Sequence, residues 1–252
     1  MRKVSKPMTL RLQPQGKVPE TAMVMAAGLG KRMRPLTATR PKPLVEVAGI
    51  TLLDHVLGHL AEGGVRRAVV NVHYLADALE AHLQKTNGLD IIISDERGVL
   101  LETGGGLVKA LDLIPDDPFL CVNTDNYWVD GPVNALRLMA AHWDDDRMDA
   151  LLLLIPLARA HNHEGRGDFL MDPLGRISRR LTGRIAPYVW TGIQMLSKRL
   201  ITDPPAEKFS TNIFWDRAIA AGRAYGVVHQ GLWFDVGTPA AIPKTEAALA
   251  DG

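Results

Sequence analysis

The sequence predicts a doubly wound α/β protein built on one mixed β-sheet with a β-rich insertion. Short apolar runs alternate with amphipathic segments up to residue 157, and strand and turn patterns follow beyond residue 158. The length of 252 residues and the hydrophobic content of 46% suit one generous α/β domain. We therefore expect a single domain over residues 21–252, with a nucleotide-binding-type half at about 21–157 and a β-rich part at about 158–240.

The elements of the first half follow from the period of their apolar residues. Apolar runs bounded by glycine or polar residues are typical of buried parallel strands, and apolar spacings of three and four are typical of helices. In chain order the pattern predicts strand 21–28, helix 52–64, strand 66–72, helix 75–88, strand 89–94, helix 103–111, strand 118–123, helix 133–142 and strand 149–157. This order is that of a doubly wound sheet.

The second half begins with a predicted β-hairpin over residues 167–179, in which Asp-Pro-Leu-Gly forms the turn. Residues 187–196 predict a further strand. At the other end, residues 1–20 are basic and lack the apolar core of a signal peptide. They are predicted to form a flexible tail, with a basic docking arm as the alternative.

The charge and the cysteine content limit the classes of function that this protein can have. The formal net charge is only +1, which disfavours nucleic acid and anionic membranes as partners. The single cysteine, Cys121, excludes an internal disulfide and any multi-cysteine metal site. No apolar run reaches the length of about 18 residues that a membrane span needs. We expect a cytoplasmic enzyme.

A glycine-rich and cationic loop directly follows the first strand. Gly28 and Gly30 allow the backbone to turn tightly against a ligand, and exposed N–H groups in such a loop bind phosphate oxygens. Prolines stiffen the segment that presents the five cations, which are Lys31, Arg32, Arg34, Arg40 and Lys42. A plain strand-to-helix turn would not require these cations, so the loop predicts a phosphate site.

Two common glycine motifs do not fit this loop. A dinucleotide fingerprint requires a third glycine where Met33 stands, and a P-loop requires Gly-Lys-Ser/Thr after four intervening residues. A nicotinamide oxidoreductase is disfavoured for the same reason.

The loop GLGKRMRPLTATRPKPLVEVAG instead resembles the signature of the sugar-1-phosphate nucleotidyltransferases. The similarity continues through VNVHYLADAL, LLETGGGLVKAL, FLCVNTDNYW, GDFLMDPLGRI and WFDVGTP, and so covers about residues 21–240. The resemblance implies a Rossmann-like sheet of the nucleotide-diphospho-sugar transferase type. The triple glycine and the Val-Asn-x-His-Tyr-Leu segment are similar to the branch that uridylylates N-acetylmuramate 1-phosphate in bacterial cell-wall recycling.

The resemblance implies a role for each matching position. Arg32, Lys42 and Asp125 would be catalytic, and Asp125 and Asp235 would bind Mg²⁺. The implied nucleotide-binding residues are Ala26, Ala27, Gly28, Gly30, Lys31, Arg32, Lys42, Glu102, Thr103, Gly104, Gly105 and Asn123. The implied sugar-phosphate residues are Gly167, Arg176, Thr191 and Gly192.

The residues themselves support these roles only in combination. Either aspartate alone is as well explained by a helix cap or a turn, whereas two carboxylates beside a phosphate site favour a metal. The triple glycine predicts close approach of a flat ligand, with a flexible turn as the alternative. His161 and His163 lie in a polar loop and are predicted to be exposed.

The implied reaction transfers a nucleoside monophosphate from an NTP, expected to be UTP, to a sugar 1-phosphate with release of pyrophosphate. The alternatives are a mannose- or heptose-1-phosphate guanylyltransferase and a non-catalytic nucleotide-binding regulator. A monomer or small homo-oligomer is expected.

Overall fold

The computed structural model describes residues 16–250, so residues 1–15 of the predicted tail lie outside it. The strands of the described chain are β1 (Thr21–Met25), β2 (Glu46–Val47), β3 (Ile50–Thr51), β4 (Arg67–Val72), β5 (Asp90–Asp95), β6 (Phe119–Asn123), β7 (Asn126–Val129), β8 (Ala150–Pro156), β9 (Ala160–His161), β10 (Phe169–Met171), β11 (Ile177–Arg179), β12 (Tyr188–Leu196), β13 (Ala224–Val228) and β14 (Leu232–Asp235). Its α-helices are α1 (Leu52–Gly63), α2 (Ala76–Leu83), α3 (Glu102–Ala110), α4 (Ala135–His142), α5 (Asn212–Ala220) and α6 (Ala241–Ala250).

Nine strands form the central mixed sheet. Strand β1 lies in its middle and pairs in parallel with β4 on one side and β6 on the other. Strand β5 continues the parallel part beyond β4. On the far side of β6, β12 runs antiparallel and connects to β10, β11, β8 and β13. The predicted doubly wound mixed sheet is confirmed, and it takes strands from both halves of the chain.

Helices cover both faces of this sheet, as a parallel sheet requires. Side chains of β1 alternate between two cores: Ala22 and Val24 join the core beneath α1, α2 and α4. Met23 and Met25 join the other core, which α3 and α5 cover. Among residues 16–250, no helix combines the length and apolar character that crossing a bilayer requires.

Helix α1 shows how local sequence signals set an element. The Thr51 hydroxyl accepts a hydrogen bond from the backbone N–H of Asp54 at 3.0 Å, which caps the first turn. Gly64 adopts a left-handed φ of 105° and ends the helix, as the paired glycines predict.

Among the elements that were not predicted are β2, β3, β7, β9, β13, α5 and α6. Strand β7 begins only three residues after β6 ends, so its apolar residues are not separated from that strand in the sequence. Strand β13 is defined by pairing with β8, in which Ala224 lies opposite Ala150. Such long-range pairing leaves no signal in local periodicity.

A second, three-stranded sheet carries the polar residues discussed below. Strand β14 pairs antiparallel with β7, so that Asp235 lies opposite Asn126, and in parallel with β9.

Two histidines contact backbone carbonyls of this sheet. The buried His229 places Nε2 3.1 Å from the Leu232 carbonyl and 3.2 Å from that of Val129. His59 donates from Nε2 to the Trp128 carbonyl at 3.0 Å.

We predict that acidification from about pH 7.5 to about pH 5.5 lowers the free energy of unfolding. Burial lowers the pKa of His229 and of His59, and the carboxylate of Asp130 only partly opposes this. Below the ordinary histidine pKa of about 6.5, the unfolded chain therefore binds protons that the folded chain excludes. Each histidine contributes a slope of at most about 1.4 kcal/mol per pH unit.

Urea unfolding at a series of pH values measures this slope. His229→Leu should lower stability at neutral pH, because two carbonyls lose their donor, and should make the slope shallower. The same replacement at the exposed His161 is the control. A slope that His229→Leu leaves unchanged would contradict the assignment.

Candidate active site

A cavity of about 390 Å³ opens where strands β1, β4 and β6 end. In open α/β sheets, ligands bind at this carboxyl edge. The cavity brings together the predicted metal ligand Asp125 and several residues that the sequence predicted for nucleotide binding, which are Ala26, Ala27, Gly28, Lys42, Glu102, Thr103 and Asn123.

The glycine-rich loop is closed by its own hydrogen bonds. The Thr37 hydroxyl donates to the Gly30 carbonyl at 2.8 Å, and the Tyr74 hydroxyl donates to the Thr37 carbonyl at 2.9 Å. Gly30 has a φ of 59°, and a Cβ there would lie 3.0 Å from the Cβ of Lys42. Glycine is therefore needed both for the left-handed turn and for the approach of the Lys42 segment.

Lys42 connects this loop to the end of β6. Its Nζ lies 3.1 Å from Oδ2 of Asp125, and only 11% of the lysine side chain is exposed. The other oxygen of Asp125 accepts a hydrogen bond from Asn126 Nδ2 at 3.1 Å. A lysine and an aspartate that are 83 residues apart in sequence thus meet at the cavity wall.

Asp235 lies next to Asp125 because strands β7 and β14 pair. The N–H of Val236 donates to the Asp125 carbonyl at 3.2 Å. Burial raises the pKa of Asp235, and the charge of Asp125 raises it further. The positive charges of Arg32 and Lys42 act in the opposite direction. The two predicted metal ligands therefore lie near each other between the two cavities, and the charges of Arg32 and Lys42 act on Asp235.

This acidic pair is suited to hold a hard divalent cation. Mg²⁺ takes one or two carboxylates from the protein and completes its shell with water and substrate phosphates. Within residues 16–250, no group of three or more His, Cys, Asp or Glu side chains forms a closed metal cage. A cation at Asp125 and Asp235 would thus keep coordination positions for a phosphorylated ligand.

A buried polar network in the wall of the cavity was missed in the sequence. Asn71 Oδ1 accepts hydrogen bonds from the backbone N–H groups of Ala26 and Ala27 at 2.6 and 3.2 Å. Asn71 Nδ2 donates to Glu96 Oε1 at 2.8 Å. Burial raises the pKa of Glu96, and the bond from Asn71 opposes this. The N–H groups of the two alanines are therefore engaged within the fold.

Close packing inside the fold explains why glycines stand at the three positions of the triple glycine. A Cβ at Gly104 would lie 2.4 Å from the Phe209 ring, and one at Gly106 would lie 2.6 Å from Glu96 Oε1. Neither Gly104 nor Gly105 lines the cavity, whereas Glu102 and Thr103 do. The glycines thus let helix α3 approach Phe209 and the Asn71 network, and contact with a ligand is not required to explain them.

A second cavity of about 270 Å³ lies on the other side of Asp235. Arg32, His163 and Asp235 are among its lining residues. Nδ1 of His163 lies 4.0 Å from Asp235 Oδ2, and 17% of the histidine side chain is exposed. The prediction of an exposed His163 is therefore wrong, because β9 runs parallel to β14 and carries the following loop to the acidic pair.

Comparison with known proteins identifies the family. The model of the nucleotidyl transferase family matches residues 21–167, which is more than half of the chain. The chain belongs to the nucleotidyl transferase family.

Two relatives match this nucleotidyl transferase over nearly its whole length. It is 44% identical over 237 residues to N-acetylmuramate alpha-1-phosphate uridylyltransferase of Caulobacter vibrioides, covering 92% of this chain and 98% of that protein. Identity to the protein of the same name from Neisseria meningitidis serogroup B is 32% over 238 residues, covering 90% and 96%. The predicted class, a sugar-1-phosphate nucleotidyltransferase, is confirmed.

Solved structures confirm the fold type. The inositol-1-phosphate CTP transferase from T. maritima superposes with a TM-score of 0.75 at 19% identity, covering 93% of this chain and 96% of that one.

Three of the predicted sugar-phosphate residues of this transferase have defined structural roles. Gly192 has a φ of 86°, and a Cβ there would lie 2.0 Å from Asn126 Nδ2, next to the acidic pair. The Thr191 hydroxyl is buried and donates to the Leu153 carbonyl at 2.8 Å. The Gly167 carbonyl accepts a hydrogen bond from Arg180 Nε at 2.9 Å.

Arg176, the fourth predicted sugar-phosphate residue, lies away from the acidic pair. It bridges to Tyr225, whose hydroxyl lies 3.4 Å from Arg176 Nε. Tyr225 pairs with Leu151, and the register of the sheet aligns Leu151 with the beginning of β6. Asp125 follows the other end of β6. The hairpin therefore places Arg176 at the opposite edge of the sheet.

Two residues of the cationic loop also lie away from the first cavity. Gly30 and Lys31 are absent from the lining of both cavities, and Lys31 is exposed. Arg32 borders the second cavity instead of the first.

We predict that Gly106→Ala lowers the free energy of unfolding by about 1–3 kcal/mol, because the added methyl group collides with Glu96. It should also weaken binding of a nucleoside triphosphate, since Glu96 and Asn71 orient the loop at Ala26. Urea unfolding and calorimetric titration measure the two effects.

The matched control is Gly58→Ala in helix α1, where a Cβ meets nothing within 4 Å. This replacement should raise stability by about 0.5–1 kcal/mol and leave nucleotide affinity unchanged. Equal behaviour of the two variants would refute the packing role of Gly106.

Proposed function

We propose that the protein is a Mg²⁺-dependent uridylyltransferase that acts on N-acetylmuramate 1-phosphate in cell-wall sugar recycling. The observation that carries this proposal is that strand pairing brings Asp235 next to Asp125, which lines a ligand-sized cavity together with Lys42. The similarity to the Caulobacter vibrioides uridylyltransferase supports the choice of UTP and of the sugar.

The nucleoside would occupy the larger cavity. Its base would lie against Ala26 and Ala27 on one side and Glu102 and Thr103 on the other, with Gly28 and Asn123 along the ribose and phosphates. Gly104 and Gly105 would support this wall from behind. Arg32 and Lys42 would hold the triphosphate, and Gly30 and Lys31 would shape the loop that presents them.

Asp125 and Asp235 would hold Mg²⁺. When bound there, the ion would supply positive charge that lowers the repulsion between the negatively charged substrates.

The reaction itself demands little proton transfer. A sugar phosphate with a second pKa of about 6 is mostly dianionic at neutral pH and can attack without a general base. Its oxygen forms a bond to the α-phosphorus, the bond from that phosphorus to the bridging oxygen breaks, and the electron pair leaves with pyrophosphate. Catalysis is then positioning and charge neutralisation. Lys42 orients Asp125, and Arg32 stabilises the leaving phosphates.

The acceptor would bind on the β12 side of Asp125. Gly192 approaches Asn126 there, and Gly167 and Thr191 belong to the strands and turns around the same edge. Arg176 has no part in this proposal.

We predict that Asp125→Asn and Asp235→Asn each lower the rate of pyrophosphate release by more than about tenfold, which corresponds to about 1.4 kcal/mol of barrier. Both replacements preserve shape while they remove the charge that binds the metal. The control is Asp112→Asn at an exposed position, and circular dichroism checks the fold. A smaller loss in either variant would remove that residue from the metal site.

The substrate assignment is tested by pyrophosphate release over a grid of substrates. UTP, GTP, CTP, ATP and dTTP are each combined with the 1-phosphates of N-acetylmuramate, glucosamine, mannose, glucose and heptose. Activity should concentrate in UTP with N-acetylmuramate 1-phosphate. Preference for GTP with mannose or heptose 1-phosphate would establish the guanylyltransferase alternative, and no release anywhere would favour a non-catalytic regulator.

A further inference from the structure

One edge of the three-stranded sheet brings together polar side chains that the sequence motifs did not include. Strand β9 runs parallel to β14, with His161 opposite Phe234. The segment that leaves β9 therefore emerges beside the end of β14 at Asp235. His163, two residues beyond β9, borders the second cavity together with Asp235.

The position of His163 leaves one ring nitrogen available to a ligand. Its Nδ1 lies 4.0 Å from Asp235 Oδ2, which is too long for a direct hydrogen bond. Nε2 is buried without a partner among residues 16–250, and a Cβ at Gly165 would lie 2.4 Å from it. Gly165 thus lets the loop cover one side of the ring, while Nδ1 faces the acidic pair.

Arg32 reaches the same cavity from the glycine-rich loop. A Cβ at Gly237 would lie 2.8 Å from Asp235 Oδ1 and 2.9 Å from a terminal guanidinium nitrogen of Arg32. The missing side chain at Gly237 is therefore what allows Arg32 and Asp235 to converge. Thr238, the next residue, also borders the cavity.

The wall that carries His163 is tied to the rest of the protein. Asn162 Nδ2 donates to the Thr245 hydroxyl at 3.0 Å and lies 3.4 Å from the Ala241 carbonyl. These bonds connect the loop to helix α6, so His163 belongs to a supported wall of the cavity.

The direction of the reaction determines which ligand this cavity suits. In an in-line displacement, the attacking and leaving oxygens lie on opposite sides of the phosphorus. The acceptor side proposed above lies along β12, beside Gly192, whereas the second cavity lies on the β9 side of Asp235. The leaving group should therefore move toward the second cavity.

We propose that the second cavity receives the departing pyrophosphate and that His163 and Thr238 bind it together with Arg32. This inference rests on the proposed function. A ring N–H of His163, the hydroxyl of Thr238 and the guanidinium of Arg32 supply donors to an anion, and a divalent cation held by Asp235 would add positive charge beside them.

The test is calorimetric titration of inorganic pyrophosphate, in the presence of magnesium, into the whole protein. His163→Phe keeps a ring beside Trp233 and removes the donor, and it should weaken pyrophosphate binding about tenfold or more. Thr238→Val should weaken it several-fold. Binding of uridine, which has no phosphate, should not change in either variant.

The matched control is His161→Phe, the same replacement two residues earlier on an exposed histidine that stacks on Phe234. It should leave pyrophosphate affinity unchanged. Pyrophosphate affinities within about twofold of wild type in both cavity variants would overturn the proposal. So would an equal loss of uridine binding, or a rise in KM for the sugar phosphate alone, which would make the cavity an acceptor site.

These binding measurements do not depend on which sugar the enzyme uses. If the substrate grid shows no turnover while His163→Phe still weakens pyrophosphate binding, the proposed function fails and the pyrophosphate site stands. If turnover follows expectation and the affinity is unchanged, only the pyrophosphate site fails.

Discussion

The proximity of two carboxylates, Asp125 and Asp235, is the constraint around which the site is organised. Burial raises the pKa of Asp235, and the like charge of Asp125 raises it further. Lys42 and Arg32 compensate only in part. An arrangement that costs folding energy in the free protein is suited to a ligand that brings positive charge.

The surrounding structure keeps this pair in place. The pairing of β14 with β7 sets the position of Asp235 relative to Asp125. The buried His229 contacts the opposite end of this strand pair. From the opposite side, the bonds from Tyr74 to Thr37 and from Thr37 to Gly30 close the loop that carries Lys42. Neutral buried histidines and internal loop bonds thus support the charged centre without adding further charge to it.

Much of this could be predicted from the sequence, and the errors have physical causes. Cations clustered beside glycines in one continuous loop are a local signal, so Lys42 and Gly28 were found. Asn71 and Glu96 were missed because a buried amide and carboxylate are recognised only by the partners they meet. The sequence could not show that the hairpin brings Arg176 to Tyr225, because that contact joins residues 49 positions apart. His163 was judged exposed because its burial depends on the pairing of β9 with a strand more than 70 residues later.

The sequence by itself determined the doubly wound sheet, the phosphate-type loop and the enzyme class, since apolar period, glycine placement and a long motif are all encoded in consecutive residues. Only the tertiary structure decided which polar groups face each other: Asp125 with Asp235, Asn71 with Glu96, and Arg32 with His163 around one cavity. The reason is that strand pairing and packing join residues across long stretches of chain, and their free energy depends on distances and burial that no local pattern contains.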